Sequence, residues 1–322
     1  MEQVNAVSKT LGALVIGMVA HQTKDFQRTE RKTGPLSDEG RVDHWLDSFD
    51  FNADAKVAHV LAMIATNEDL SFGSRDFIYD VTGADQINRL ADIATVAIAQ
   101  DPANLGNNLE EFIQRFLFDP LEMRSSSWSG NEGSIGTGWK STVRDMGRFG
   151  LLILNGGVWS RERILEEAWI QKMTHPAFED ASTNYGYLTW LSSNSNHVGA
   201  LSTDRSDGPV EPCTPAALWP DYPHGLSEAT DCNYNPPWTC EQEYDVGAWS
   251  ASGLNGNHIV GHPGLDMVLV VKTAGLDVRN GFASVWPAMR PALIAIDPVF
   301  QGDEEAFCEA YGSNAYAPDL RP

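Results

Sequence analysis

The run Asn5-Ala6-Val7-Ser8-Lys9-Thr10-Leu11-Gly12-Ala13-Leu14-Val15-Ile16-Gly17-Met18-Val19-Ala20 carries a single charged residue, Lys9, at the head of an almost wholly apolar segment. A helix that is hydrophobic all round belongs in a core. With an apolar part of about ten residues, it is too short to cross a bilayer. Lys9 then sits near the helix N-terminus, next to buried surroundings. Desolvation there lowers a lysine's pKa and makes it a usable base. A lysine at the end of a core helix can equally snorkel to the surface. This stretch alone leaves both readings open.

A core helix needs a protein large enough to surround it, and 322 residues supply one big domain or two closely joined lobes. Hydrophobic content of 42% with 20% charged residues describes an ordinary globular chain. Its 22 Lys and Arg against 44 Asp and Glu leave a net charge of -22. Nucleic-acid binding is driven by basic contacts to phosphate, so a nucleic-acid partner is not expected. The same charge argues against docking on an anionic membrane.

Met1-Glu2-Gln3-Val4-Asn5 lacks the positively charged opening of a signal peptide. Cys213, Cys232, Cys240 and Cys308 show no Cys-x-x-Cys spacing, so no zinc site is expected. Three of them fall in a segment rich in Pro, Trp, Asp and Asn. An even cysteine count around such a segment suits disulfides and a periplasmic or secreted protein. Reduced, buried cysteines in a cytosolic protein are the alternative. The pairing stays open among its possible connectivities.

Along the chain, Leu36–Leu46 reads as a short capped helix and Ala53–Ala65 carries apolar residues at helical spacing. Gly83–Gln100 is amphipathic and stops at Asp101-Pro102, and Leu109–Phe118 stops at Asp119-Pro120. Ser125–Thr137 is a Ser/Gly-rich loop. Its tail is not a phosphate loop, because Trp139 separates Gly138 from Lys140 and no apolar strand precedes it. Thr142–Leu154 and Arg161–Met173 read as helices joined at Asn155-Gly156-Gly157. Tyr185–Leu191 is β-like. Ser192–Glu243 lacks periodicity and reads as an irregular, disulfide-braced or functional insertion. Val246–Ala251, Asn257–Gly261 and Leu265–Thr273 read as successive strands, and Ala283–Ile296 as a closing helix.

Three points draw chemical interest. They are Lys9, Tyr79 in Phe77-Ile78-Tyr79-Asp80-Val81, and Ala251-Ser252-Gly253-Leu254-Asn255-Gly256-Asn257, where glycines let backbone or ligand approach a strand closely. A nucleophilic hydrolase needs a nucleophile, a base and backbone donors for the oxyanion. At these points the chain resembles the penicillin-recognising serine hydrolases, the superfamily of β-lactamases, D,D-peptidases, related esterases and 6-aminohexanoate-dimer hydrolases. Their first motif, Ser-x-x-Lys heading a buried helix, falls on Ala6-Val7-Ser8-Lys9. Their Tyr-x-Asn falls on Tyr79-Asp80-Val81, and Lys-Thr-Gly or His-x-Gly on Ala251-Ser252-Gly253. Phe118-Asp119-Pro120-Leu121-Glu122-Met123, Thr142–Gly150 and Gly156-Gly157-Val158-Trp159 are similar to further family segments in the family's order.

The resemblance implies an α+β fold of the α/β-sandwich type: an antiparallel sheet flanked by helices, with a mostly helical lobe. On that plan residues 1–322 form one domain, with a helical lobe at 6–175, a sheet lobe at 185–297 and an insertion at 192–243. The family's N-terminal strands are missing from this sequence, so a separately supplied or truncated segment and an unpaired edge near Leu265–Val271 are expected. The implied catalytic positions are Ala6, Lys9 and Tyr79, with Ser252, Gly253 and Leu254 on the oxyanion and binding side. No metal or cofactor is implied, and the partner is a small amide or ester.

The departures matter as much. Ala6 has no oxygen, and Ser8 is out of register because its Ser-x-x-Lys would need lysine at Leu11. Val81 replaces Asn, and Ala251 replaces the cation. The expected function is an acyl-enzyme serine hydrolase of small amides or esters, inactive as written. The alternative is a non-catalytic ligand-binding protein on the same fold. His258 and His262, four apart on one strand, have no third metal ligand in sight.

Overall fold

In a computed structural model the described residues are 2–67, 87–129, 135–178, 181, 185–192, 196–197, 211–212, 240–242, 248–253, 255–263 and 266–272. The first element, β1 (Glu2–Gln3), pairs antiparallel with a later strand at Ser141 and Lys140. It delivers the chain to α1 (Val7–Thr23), in which every residue from Val7 to Val19 is buried. The helix is longer than the apolar core of its sequence suggests, because buried Thr23 closes it by donating to Val19 O at 2.8 Å. Among the described residues no helix is long and apolar enough to cross a membrane.

Short elements follow. A 3-10 turn at Val42–His44 replaces the helix read at Leu36–Leu46, and α2 (Val57–Leu61) is all that forms of Ala53–Ala65. α3 (Arg89–Ile98) buries Leu90, Ile93, Ala94, Ala97 and Ile98 against α1. α4 (Pro102–Leu105) starts where the Asp101 carboxylate accepts from Asn104 N–H and Pro102 takes the first helical position. α5 (Leu109–Ile113) is capped by Asn108, which accepts from Glu111 N–H at 2.9 Å, and runs into a π-helical turn, Gln114–Phe118. β2 (Ser127–Trp128) and β3 (Trp139–Ser141) follow, and with β1 they make a three-stranded sheet in the order β1-β3-β2.

α6 (Val143–Leu154) begins at Thr142, whose hydroxyl accepts from Asp145 N–H. The continuous helix read over Arg161–Met173 is corrected here. β4 (Val158–Trp159) and β5 (Glu162–Arg163) form a hairpin first, and α7 (Glu167–Thr174) starts only afterwards. The reason is the loop pair Ser160 and Arg161, with φ of 48° and 73°, a left-handed geometry that suits a tight hairpin and stops a helix.

β6 (Trp190–Ser192) opens the main sheet. Within the segment read as irregular, β7 (Asn196–His197), β8 (Glu211–Pro212) and β9 (Cys240–Gln242) form a separate small sheet in the order β7-β9-β8. That pairing joins residues far apart in sequence, which no local pattern announces. β10 (Ala248–Gly253), β11 (Asn257–His262) and β12 (Met267–Val271) complete a four-stranded antiparallel sheet in the order β12-β11-β10-β6. Among the described residues β12 pairs on one side only. The architecture is α+β. Cys213, Cys232 and Cys308, and the helix read over Ala283–Ile296, lie outside the described residues.

α1 packs on β10 and β11, and α6 on β11 and β12. Both use the same face of the sheet: Gly150 of α6 lies against Ile259 and Val268, Ile259 pairs with Ala251, and Gly253 meets the start of α1. On its far side α1 receives α7. A Cβ at Gly17 would sit 2.4 Å from the Trp169 ring, so only glycine admits the indole there. Trp169 Nε1–H donates to Ala13 O at 3.0 Å and its ring meets Tyr187 edge-on at 5.5 Å.

Candidate functional site

The fold brings two of the three sequence segments together. Gly253, at the end of β10, abuts the turn that leads into α1. A Cβ built at Gly253 would stand 2.4 Å from Val4 O and 3.0 Å from both Ala6 N and Val7 N. That approach is closer than any side chain tolerates, and it explains the glycine at the end of an otherwise regular strand. The turn at position 6 and the end of β10 are therefore in direct contact.

The turn that leads into α1 has an unusual backbone. Asn5 has φ of 53°, a left-handed conformation that asparagine accepts more readily than most residues. Ala6 follows as the N-cap, with φ −64° and ψ −9° and no side-chain cap. A capping serine normally bonds the first N–H groups of its helix from an extended backbone. The backbone at Ala6 is not set up for that bond. Among the described residues the Ala6 N–H has no hydrogen-bond acceptor, whereas Val7, Ser8 and Lys9 N–H groups donate to Val4 O, Asn5 O and Ala6 O.

Lys9 lies one helical turn beyond Ala6 and is only 2% exposed, which discards the snorkelling alternative. Ser8 is fully buried and faces elsewhere: its Oγ accepts from Trp139 N–H at 3.0 Å. The same Trp139 accepts from Val4 N–H at 3.1 Å, so β3 ties both ends of the Ala6 turn. Thr10 Oγ1 donates to Leu188 O at 2.8 Å and anchors the next turn to the segment before β6.

On β10, Ser252 stands between buried Ala251 and Gly253, is itself half-buried, and by strand alternation belongs to the sheet face opposite the one that meets α1. Its Oγ is 3.1 Å from Nδ1 of His258, its partner across the β10–β11 ladder. His258 is 1% exposed, and burial pushes its pKa down to about 4, so the ring is neutral near pH 7. The sequence weighed His258 only as a metal partner of His262. The signal for its true neighbour was the hairpin turn. Asn255 and Gly256, with φ of 67° and 71°, put Gly253 opposite Asn257 and hence Ser252 opposite His258. Among the described residues no group of three His, Cys, Asp or Glu could hold a metal. Tyr79 and Leu254 lie outside the described residues.

Polar chemistry away from this junction is structural in character. Asp38, 6% exposed, accepts from Tyr187 Oη at 2.7 Å and from Lys172 Nζ, joining the loop after α1 to α7. Burial first, and then the Asp38 carboxylate, push the Tyr187 phenol far above its ordinary range. Asp145 accepts from Ser125 N–H at 2.8 Å and from Arg148 at 3.0 Å. A cavity of about 290 Å³ lies at the other end of β10, bordered by Trp249, Ile153, Ile170 and Arg163, and contains none of the site residues expected from the sequence.

Comparison with solved structures gives a consistent picture of the fold. A candidate beta-lactamase from Bacteroides dorei DSM 17855 superposes with a TM-score of 0.53 at 16% identity, over 89% of this chain and 84% of that one. A candidate 6-aminohexanoate-dimer hydrolase from Bacillus anthracis superposes with a TM-score of 0.51 at 13% identity, over 91% of this chain and 72% of that one. Likeness at such identity carries the architecture, and function has to be argued from the site. No protein-family sequence profile matches the chain, and no curated protein matches it in sequence.

Proposed function

We propose that this chain, which has the fold of the β-lactamase and penicillin-recognising serine hydrolases, keeps the cleft of a hydrolase of small amides or esters in a form that cannot acylate. The observation that carries the reading is the contact of Gly253 with the Ala6–Val7 backbone, which sets the resembled first and third motifs face to face. Buried Lys9 one turn away supports it.

With serine at position 6, Oγ would attack the acyl carbon while Lys9, with Tyr79 relaying, took the hydroxyl proton. The N–H groups of positions 6 and 254 would hold the oxyanion. Collapse of the tetrahedral intermediate would expel the alcohol or amine with that proton, and water would then cleave the acyl-enzyme. The Ala6 methyl group offers no electron pair, so the first bond cannot form. What remains in the chain as written is binding of the acyl ligand, and here the non-catalytic alternative has a specific observation behind it, the methyl group of Ala6. Ala251 supplies no cation on β10, which favours uncharged esters and amides over carboxylate-bearing β-lactams. The periplasm or the extracellular space fits the cysteine content.

The experiment is turnover of p-nitrophenyl acetate by the chain and by Ala6→Ser. Burst release followed by steady turnover in Ala6→Ser alone supports the reading. A folded Ala6→Ser protein without either sinks it.

A further inference from the structure

The cavity of about 290 Å³ at the start of β10 is bordered by the end of α6, β5, α7 and β10 itself. Its floor is apolar: Trp249, Ile153 and Ile170 are all buried. The indole is seated on the neighbouring strand. A Cβ at Gly261, the cross-strand partner of Trp249, would come within 2.2 Å of the ring, so only glycine leaves it room. The volume is close to the lower end of small-molecule sites. Trp249 and Gly253 are four residues apart on one strand, about 13 Å at the usual rise, so the cavity is separate from the Gly253–Ala6 contact.

Two opposite charges border it. Arg163 Nη1 donates to Gly156 O and to Leu165 O, each at 3.0 Å, which ties the guanidinium to the backbone. Those bonds occupy one nitrogen and leave the Nε–Nη2 edge, a fork that takes a carboxylate bidentately. Glu167 packs beside the same glycine: a Cβ at Gly156 would lie 3.5 Å from its Cγ and 3.8 Å from its Oε1. Among the described residues neither Arg163 nor Glu167 has an ion-pair partner, and they do not pair with each other. The adjacent Glu166, by contrast, is held by His21 and Lys24.

We propose that this cavity binds a free α-amino acid with an apolar side chain. The carboxylate goes to the Arg163 fork, the ammonium to Glu167, and the side chain onto Trp249, Ile153 and Ile170. The charges decide the class. A carboxylate alone would face Glu167 unbalanced and would approach a chain of net charge -22 against its field. An ammonium alone would face Arg163. A zwitterion has no net charge, meets both groups and lets its apolar body leave water. An α-amino acid carries both charges on one carbon, so two protein groups gathered around one glycine can hold them together. The inference does not depend on the hydrolase reading.

The test uses the full chain, labelled with 15N at its tryptophan indoles, with L-leucine as the probe. 4-Methylpentanoate, which lacks the ammonium, and L-leucinamide, which lacks the carboxylate, are the comparisons. L-leucine is expected to shift the Trp249 indole resonance, assigned by its loss in Trp249→Phe, in a saturable way. Each comparison compound should bind at least about tenfold more weakly. Arg163→Gln and Glu167→Gln, both at exposed positions, should each lower L-leucine affinity by about tenfold. Glu167→Gln should leave 4-methylpentanoate binding unchanged or tighter, and Arg163→Gln should do the same for L-leucinamide. Loss of structure would not produce that crossover. The proposal is overturned by the absence of a saturable response, by equal affinity for the three compounds, or by losses that do not follow the charge removed. Should Trp249→Phe fail to fold, titration calorimetry of the parent and the two charge variants decides alone. None of these outcomes depends on ester turnover by Ala6→Ser, so either reading can fail without the other.

Discussion

Gly253 lies against Ala6: a Cβ at position 253 would come within 3.0 Å of the Ala6 nitrogen and 2.4 Å of Val4 O. The strand and the helix entrance therefore fit together only because one of them has no side chain there. Gly253→Ala must move backbone on one side or the other, at a cost of about 1–3 kcal/mol typical of overpacking. Urea unfolding of the variant checks the loss. In an Ala6→Ser background the same change is expected to lower turnover more than it lowers stability at the assay temperature. A neutral Gly253→Ala would mean that the two walls are not in contact.

Ser8 is the serine nearest the expected nucleophile, yet its hydroxyl is committed to Trp139 N–H at 3.0 Å inside the core. Ser8→Ala leaves that buried N–H without its acceptor and should cost about 1–3 kcal/mol. The measurement is the shift of the urea midpoint at unchanged slope. A midpoint at the parent's value would contradict this structural role.

Buried Asp38 gathers exposed Lys172 and buried Tyr187 into one group. Tyr187→Phe removes a donor from a buried carboxylate and should destabilise the chain by about 1–2 kcal/mol. Asp38→Ala should cost more, because it strips two partners at once and opens space between the loop and α7. Thermal melting of the two variants ranks them, and the reverse order would contradict the assignment.

His258 makes stability depend on pH in a defined direction. Its folded pKa of about 4 lies below the ordinary 6.5 because the ring is buried. Between these values the unfolded chain binds a proton that the folded chain does not, so stability is complete above the unfolded value and falls as pH drops towards 4. The full effect is about 3 kcal/mol by linkage. Asp43, held low chiefly by its hydrogen bond to Arg41, and Asp47, held low chiefly by Lys32, lose their contributions only at more acidic pH. Urea midpoints at pH 7.5 and pH 5 compare the parent with His258→Phe. The parent should lose markedly more stability over that interval; equal losses would place the titration elsewhere.

Local chemistry carried much of this structure in the sequence. The α1 run is apolar without interruption, and its packing against a sheet on one side and Trp169 on the other is what an all-round apolar helix requires. Asp101-Pro102 and the glycine-spaced strands near 248–271 mark their own boundaries. Short helices were read too long, as at Ala53–Ala65 and Arg161–Met173, because periodicity continues across residues that tertiary hydrogen bonds and left-handed turns take out of the helix. The β7-β9-β8 sheet was hidden since its strands pair across a long sequence separation. The register of motifs drew attention to Ala6, Lys9 and Gly253, of which the fold brings Ala6 and Gly253 into contact. The Ser252–His258 pair needed the cross-strand geometry, which follows from the Asn255-Gly256 turn once it is counted.

In the proposed hydrolase site position 6 is where an acyl group would be taken up, and intact-mass analysis after treatment with a fluorophosphonate probe tests this directly. The chain with Ala6 should stay unmodified. Ala6→Ser should gain one adduct, mapped by peptide digestion to position 6, and Lys9→Met in that background should slow its formation by at least about a hundredfold. A folded Ala6→Ser protein with no adduct, or an adduct on another serine of the unaltered chain, would contradict the account.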